Sequence, residues 1–211
     1  DKVCVIGDFA NSPRFQGAGS SLVNSTQLDN FTDLKDKYNF NYIGFEAGFN
    51  RYGKKDKKLE ENALDLAKKS DIVIYFMGLD EVTESEGLDR ETINLPQNQI
   101  DLLKKLRSLN KKIVIVLSSG SVIDLSFEDQ ADAILFGALS GQAGCNSILD
   151  ILNGTVTPSG KLSETYPMSY NDVMNSDNYP SKGINALYKE SIYVGYRYYE
   201  KNAVKVRYPF G

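Results

Sequence analysis

Five carboxylates stand close together in this chain: Asp80, Glu81, Glu84, Glu86 and Asp89. Clustered like charges disfavour ionisation, and burial beneath a substrate does the same. A carboxyl kept protonated in that way can give a proton to a leaving group and later take one from water. The densest part is Glu84-Ser85-Glu86-Gly87-Leu88-Asp89-Arg90. Gly87 lets backbone come near a ligand, and Asp89 with Arg90 can pin the loop. The plain alternative is a solvated acidic loop with one Asp-Arg pair, and residue types alone leave both open.

The elements around this loop set its place. Before it runs Ile72-Val73-Ile74-Tyr75-Phe76-Met77-Gly78, apolar enough for a buried strand. After it, Leu95-Pro96-Gln97-Asn98-Gln99 reads as a helix start. The acidic loop therefore lies at the C-terminal end of a strand, where open α/β sheets usually place their chemistry.

The same alternation runs along the whole chain. Strands are expected over 2–9, 42–47, 71–77, 113–117, 133–136 and 162–166. Helices are expected over 31–38, 56–69, 96–109 and 144–152. In the 96–109 helix, Ile100, Leu103 and Leu106 share one face. Strands alternating with helices predict a doubly wound α/β sheet over residues 1–170. Residues 171–211 differ in kind: a polar stretch, then Tyr188, Tyr193, Tyr196, Tyr198, Tyr199 and Tyr208. A tail so aromatic is expected to pack on this domain or on a neighbouring one.

Composition narrows the chemistry. The 211 residues can bury one sizeable core. A net charge of −4 gives no reason to expect nucleic acid or a membrane surface as partner. No apolar run approaches the roughly 20 residues of a spanning helix. No signal-peptide pattern is visible, and a start at Asp1 without Met points to a piece of a longer protein. Cys4 and Cys145 read as two buried free thiols, which fits a reducing, cytoplasmic setting. The chain has no histidine. That excludes within it a Ser-His-Asp or Cys-His mechanism and a His-ligated metal. Acid/base work here falls to Asp, Glu, Lys, Tyr or Cys.

Three other stretches carry possible chemistry. Gly17-Ala18-Gly19-Ser20-Ser21 follows the first strand but completes neither the Walker nor the Gly-x-Gly-x-x-Gly pattern, since position 22 is Leu. Arg14 and Gln16 in the same loop are candidates to bind sugar hydroxyls. Gly141-Gln142-Ala143-Gly144 opens a helix and fits close strand-to-helix packing. Asp8 and Asp80 at strand ends, with Ser118 after the fourth strand, would suit a receiver-like or flavodoxin-like regulator.

Five motifs in order carry a resemblance. They are Val5-Ile6-Gly7 with Gln16-Gly17-Ala18-Gly19-Ser20-Ser21; Glu84 to Arg90 with Leu95-Pro96-x-x-Gln99; Gly141-Gln142-Ala143-Gly144; Pro158-Ser159-Gly160-Lys161-Leu162 with Thr165-Tyr166-Pro167; and Tyr193-Val194-Gly195-Tyr196-Arg197-Tyr198-Tyr199 with Tyr208-Pro209-Phe210-Gly211. Together they resemble the second domain of glycoside hydrolase family 3, the β-glucosidase/β-xylosidase group, over essentially the whole chain. Cys145, Asn146 and Ser191 depart from the usual small residues and are read as packing variation.

The resemblance implies a six-stranded α/β sandwich, mostly parallel, beside a (β/α)8 barrel that lies outside this chain. In that family the barrel binds the β-linked saccharide and carries the nucleophile, and the sandwich lends the acid/base. By its place before Gly-Leu-Asp-Arg, Glu86 is that acid/base, with Glu84 as fallback and Asp89 and Arg90 supporting the loop. The parent enzyme would be a retaining exo-β-glycosidase needing no metal or cofactor, and the isolated domain would hydrolyse little or nothing. Family members with an acid/base on a barrel loop lack this Glu-Gly-x-Asp-Arg loop, so the glucosidase/xylosidase type is favoured over the N-acetylglucosaminidase type. The reading from another class is a non-catalytic scaffold that shapes a sugar site or holds subunits together.

Overall fold

The computed structural model describes residues 1–109, 111–181 and 183–211. Its central sheet contains β1 (Lys2–Ile6), β2 (Asn41–Glu46), β3 (Ile72–Gly78), β4 (Lys112–Ser118) and β5 (Ala133–Phe136). The order is β2-β1-β3-β4-β5 and every pairing is parallel. Among the described residues the parallel sheet thus has five strands. The strand expected over 162–166 forms instead as β6 (Tyr166–Pro167), antiparallel to β7 (Val206–Tyr208) in a separate pair. The α/β class stands. The count differs because Tyr166 finds its edge partner near the end of the chain, which local pattern cannot show.

The helices are α1 (Phe31–Leu34), α2 (Lys57–Lys68), α3 (Gln97–Ser108), α4 (Gly144–Leu152) and α5 (Tyr196–Lys201). α2 starts at Asp56, whose side chain accepts the Leu59 N–H at 3.1 Å, and it buries Ala63 and Ala67. α3 buries Gln99, Leu102, Leu103 and Leu106. Leu103 and Leu106 are buried as expected, Ile100 is only half-buried, and Gln99 and Leu102 complete the inward face. Two apolar residues in a row, Leu102 and Leu103, allow either face by spacing alone.

The core is the sheet's own. In β3 six consecutive residues from Val73 to Gly78 are buried, as a strand covered on both faces requires. Each fully buried Leu, Ile or Phe contributes about 1.5–3 kcal/mol. Gly7, at the end of β1, has φ +115°, and a Cβ there would lie 1.9 Å from the Phe76 carbonyl oxygen. Only glycine lets the chain leave β1 so close to β3.

The chain divides into two compact units. The first is Asp1–Gly87, Leu95–Gly120 and Phe127–Pro158, and the second is Leu88–Asn94, Ser121–Ser126 and Ser159–Gly211. The tail expected at 171–211 falls inside the second. Within that unit aromatic rings pair with one another: Tyr166 meets Tyr208 edge-on at 6.5 Å, and Tyr196 stacks on Phe210 at 4.8 Å. Among the described residues no helix is long and apolar enough to cross a membrane.

Candidate active site

The strand order places the topological switch between β1 and β3, where the sheet's order reverses and crevices open. Two loops leave the C-terminal ends of those strands: residues 11–23 after β1 and residues 79–87 after β3. Both belong to the first unit, and they are joined by named contacts.

The loop after β3 begins with a tight turn. Asp80 is 2% exposed. Its Oδ1 accepts the N–H groups of Val82 and Thr83 at 2.8 and 2.9 Å, and its Oδ2 accepts the Thr83 hydroxyl at 2.6 Å. Burial pushes the Asp80 carboxyl up, but the Thr83 hydroxyl and these N–H groups outweigh it and hold the group below the ordinary value. Asp80 is a turn-builder. Glu81 receives Arg51 at 2.9 Å, and the same guanidinium reaches Asp8 at 2.5 Å and the Ser12 carbonyl at 2.6 Å. Asp8 and Asp80, the pair that would suit a receiver-like site, are thus both engaged by protein groups.

Glu84 is engaged more deeply. Its carboxylate meets Arg14 and accepts the Gly120 N–H at 2.7 Å, and its carbonyl accepts from Arg14 Nη2 at 2.7 Å. Arg14 also donates to the Leu79 carbonyl at 3.2 Å and is only 3% exposed. Gln16 spends its amide on Val23, donating to the carbonyl at 3.0 Å and accepting the N–H at 2.9 Å. The two residues expected to meet sugar hydroxyls are therefore tied to the loops themselves.

Glu86 differs from its neighbours. Its side chain is exposed, and its Oε2 accepts one backbone N–H, that of Ser20, at 2.7 Å. Among the described residues Oε1 has no hydrogen-bond partner. A carboxylate in that state can exchange a proton with a bound molecule without first breaking an ion pair. The approach of Gly19 and Ser20 to Glu86 was not anticipated from sequence. Its signal was the small-residue run 17–21, which had no ligand pattern to explain it.

In the second unit, Asp89 accepts the Tyr179 hydroxyl at 3.0 Å. Arg90 donates to Ser121 Oγ at 2.6 Å and to the Val122 carbonyl at 3.2 Å. Each half of the Asp-Arg motif thus has a partner from elsewhere in the chain.

Cys4 and Cys145 are buried free thiols. Burial raises both, and Cys145, with Asp29 adding to the effect, is pushed up to about 12. They are inert packing groups at neutral pH. Among the described residues no group of three or more His, Cys, Asp or Glu could hold a metal ion.

Comparison with known proteins gives this parallel α/β domain, with its exposed carboxylate on a switch-point loop, a family. The profile of the Glycosyl hydrolase family 3 C-terminal domain matches residues 1–196. This chain belongs to that family. It is 40% identical over 212 residues to the Exo-alpha-(1->6)-L-arabinopyranosidase of Bifidobacterium longum, covering 100% of this chain and 28% of that protein. It is 35% identical over 215 residues to Thermostable beta-glucosidase B of Acetivibrio thermocellus, covering 99% and 28%. The crystal structure of the GH3 beta-glucosidase of Bifidobacterium adolescentis superimposes with a TM-score of 0.92 at 42% identity, over 99% of this chain and 31% of that one. The chain thus spans less than a third of the length of each of these three relatives.

Proposed function

We propose that this chain is the acid/base-bearing domain of a retaining exo-β-glycosidase of the β-glucosidase type. The observation that carries the reading is Glu86: an exposed carboxylate, on a switch-point loop, held by a backbone N–H and by no cation among the described residues. In the first step Glu86 would protonate the glycosidic oxygen while a second carboxylate attacks the anomeric carbon. In the second it would take a proton from the water that releases the sugar. Retention requires the two carboxyls about 5–5.5 Å apart. Neither step calls for a metal or cofactor. The nucleophile and the saccharide pocket are assigned to a (β/α)8 barrel of the parent protein, so the isolated domain is expected to hydrolyse little or nothing.

Several observations support a covering partner. Leu22, Val23 and Val82, on the two site loops, are 66%, 65% and 64% exposed. In the second unit Ile184, Tyr188 and Ile192 are also largely exposed, which fits a tail that packs on a neighbouring domain. Relatives of nearly equal identity, 40% and 42%, are named for different sugars. That fits a sugar choice made outside this domain.

In this reading Arg14 and Glu84 hold the loop, Asp89 and Arg90 anchor its far end, and Glu84 remains the fallback acid. The test is Glu86→Gln and Glu84→Gln in the full-length enzyme. Glu86→Gln should lower turnover by about 10²–10⁴-fold. Azide should restore part of it with an activated aryl glycoside, because azide attacks the glycosyl intermediate without a general base. Undiminished turnover in Glu86→Gln would remove Glu86 from the role.

A second reading is a scaffold that shapes a sugar site without catalysis. In the second unit Tyr170, Tyr179 and Tyr188 line a cavity of about 590 Å³ with Asp89 and Asn178, and aromatic faces with carboxylates and amides suit sugars. Near-normal kinetics in a Glu84→Ala/Glu86→Ala double variant would favour it.

A further inference from the structure

We propose that loop 16–23 is a positioning element for Glu86, and that Gly19 is the residue whose missing side chain lets it serve. This rests on the reading of Glu86 as acid/base and adds residues that act through it.

Two hydrogen bonds of opposite direction hold Glu86. The Ser20 N–H donates to its Oε2 at 2.7 Å, and its own N–H donates to the Ala18 carbonyl at 3.3 Å. One fixes the carboxylate and the other the backbone. The holding loop is itself closed. Gln16 both donates to and accepts from the Val23 backbone, as a paired strand residue would, and the Leu22 N–H donates to the Gly19 carbonyl at 3.1 Å.

At the tip, Gly19 has φ +90°, and a Cβ there would stand 2.8 Å from Glu86 Cβ and 3.1 Å from Oε2. Any other residue would push on the acid's own side chain. Glu86 is exposed, so packing does little to order it, and the loop supplies the order that burial does not. With Oε2 held by Ser20, Oε1 is the oxygen presented to a bound glycoside. Misplacing a catalytic group by about 1 Å can cost about 10²-fold in rate.

The experiment uses the full-length enzyme and two substrates: methyl β-glucoside, whose leaving group must be protonated, and 2,4-dinitrophenyl β-glucoside, whose leaving group need not be. Gly19→Ala should lose about 10²-fold in kcat/KM on the methyl glycoside and only a few-fold on the dinitrophenyl one. Gln16→Met opens the loop without touching Glu86 and should lose about tenfold with the same selectivity. Gly154→Ala is the control. It has φ +78° with nothing within 4 Å of a Cβ, so it adds comparable backbone strain far from the acid in sequence and should leave the ratio of the two rates unchanged. An unchanged ratio in either folded loop variant overturns the proposal. If Glu86→Gln shows the selective loss and the loop variants do not, only the positioning role falls. If Glu86→Gln itself spares the methyl glycoside, the acid reading falls and this inference with it.

Discussion

Arg14 and Glu84 form an ion pair nearly sealed from solvent, with side-chain exposures of 2% and 15%. They stand 70 residues apart and bind the loop after β1 to the loop after β3. Removing Arg14 would take away the guanidinium that lies against the half-buried Glu84 carboxylate.

Arg14→Met is therefore expected to destabilise the protein by about 3 kcal/mol, the low end for a broken buried pair because Glu84 keeps some contact with water. The double variant Arg14→Met/Glu84→Met should cost less than the sum of the singles. Urea unfolding of the four proteins in a double-mutant cycle measures the coupling directly. Strict additivity would mean the pair contributes nothing specific.

Gln99 makes a second long-range tie. Its side chain donates to the Gly78 carbonyl at 2.9 Å and accepts the Gly78 N–H at 2.9 Å, while its own carbonyl accepts the Tyr75 hydroxyl at 3.0 Å. Gly78 ends β3, just before the acidic loop. Gln99→Leu keeps the volume but orphans two buried backbone groups, each costing about 1–3 kcal/mol. The midpoint of urea unfolding should fall accordingly, with an unchanged slope. A loss below about 1 kcal/mol would show that water replaces the amide.

Asp80 gives a pH signature. Its folded value lies below the ordinary one despite burial, because the Thr83 hydroxyl and neighbouring N–H groups favour the charged form. Its contribution is thus complete above the unfolded value of about 3.9 and is lost as pH falls through the lower folded value. Asp80→Asn should be less stable than the parent protein at pH 7, by about 1.5–3 kcal/mol for hydrogen bonds to a charged group. The two stability curves should converge as pH falls below the unfolded value and through the lower folded one. Parallel curves across the acid range would contradict a charged, hydrogen-bonded Asp80.

Much of the architecture was legible locally. The apolar, β-branched runs of β3 and β4 read as strands covered on both faces, and the loop between β3 and α3 follows from them. The sixth strand was misplaced because a two-residue pairing such as Tyr166–Pro167 with β7 depends on a partner about 40 residues away. The inward face of α3 was legible at Leu103 and Leu106, while Gln99 and Leu102 join it in place of a fully buried Ile100 because the sheet decides how far the face extends.

By itself the sequence narrowed which residue types could do acid/base work and where they stand. Without histidine, acid/base work falls largely to carboxylates, and the β3–α3 alternation puts five of them at a strand's C-terminal end. Which carboxylate stays available was decided by tertiary structure alone. Asp80 is consumed by its own turn, Glu81 by Arg51 and Glu84 by Arg14, while Asp89 accepts from Tyr179. Apart from the Asp80 turn, these partners lie 30 to 90 residues away. Pairing depends on distance in space, which residue type and spacing do not carry, so the exposed acid and the glycine loop that holds it emerge only once the chain is folded.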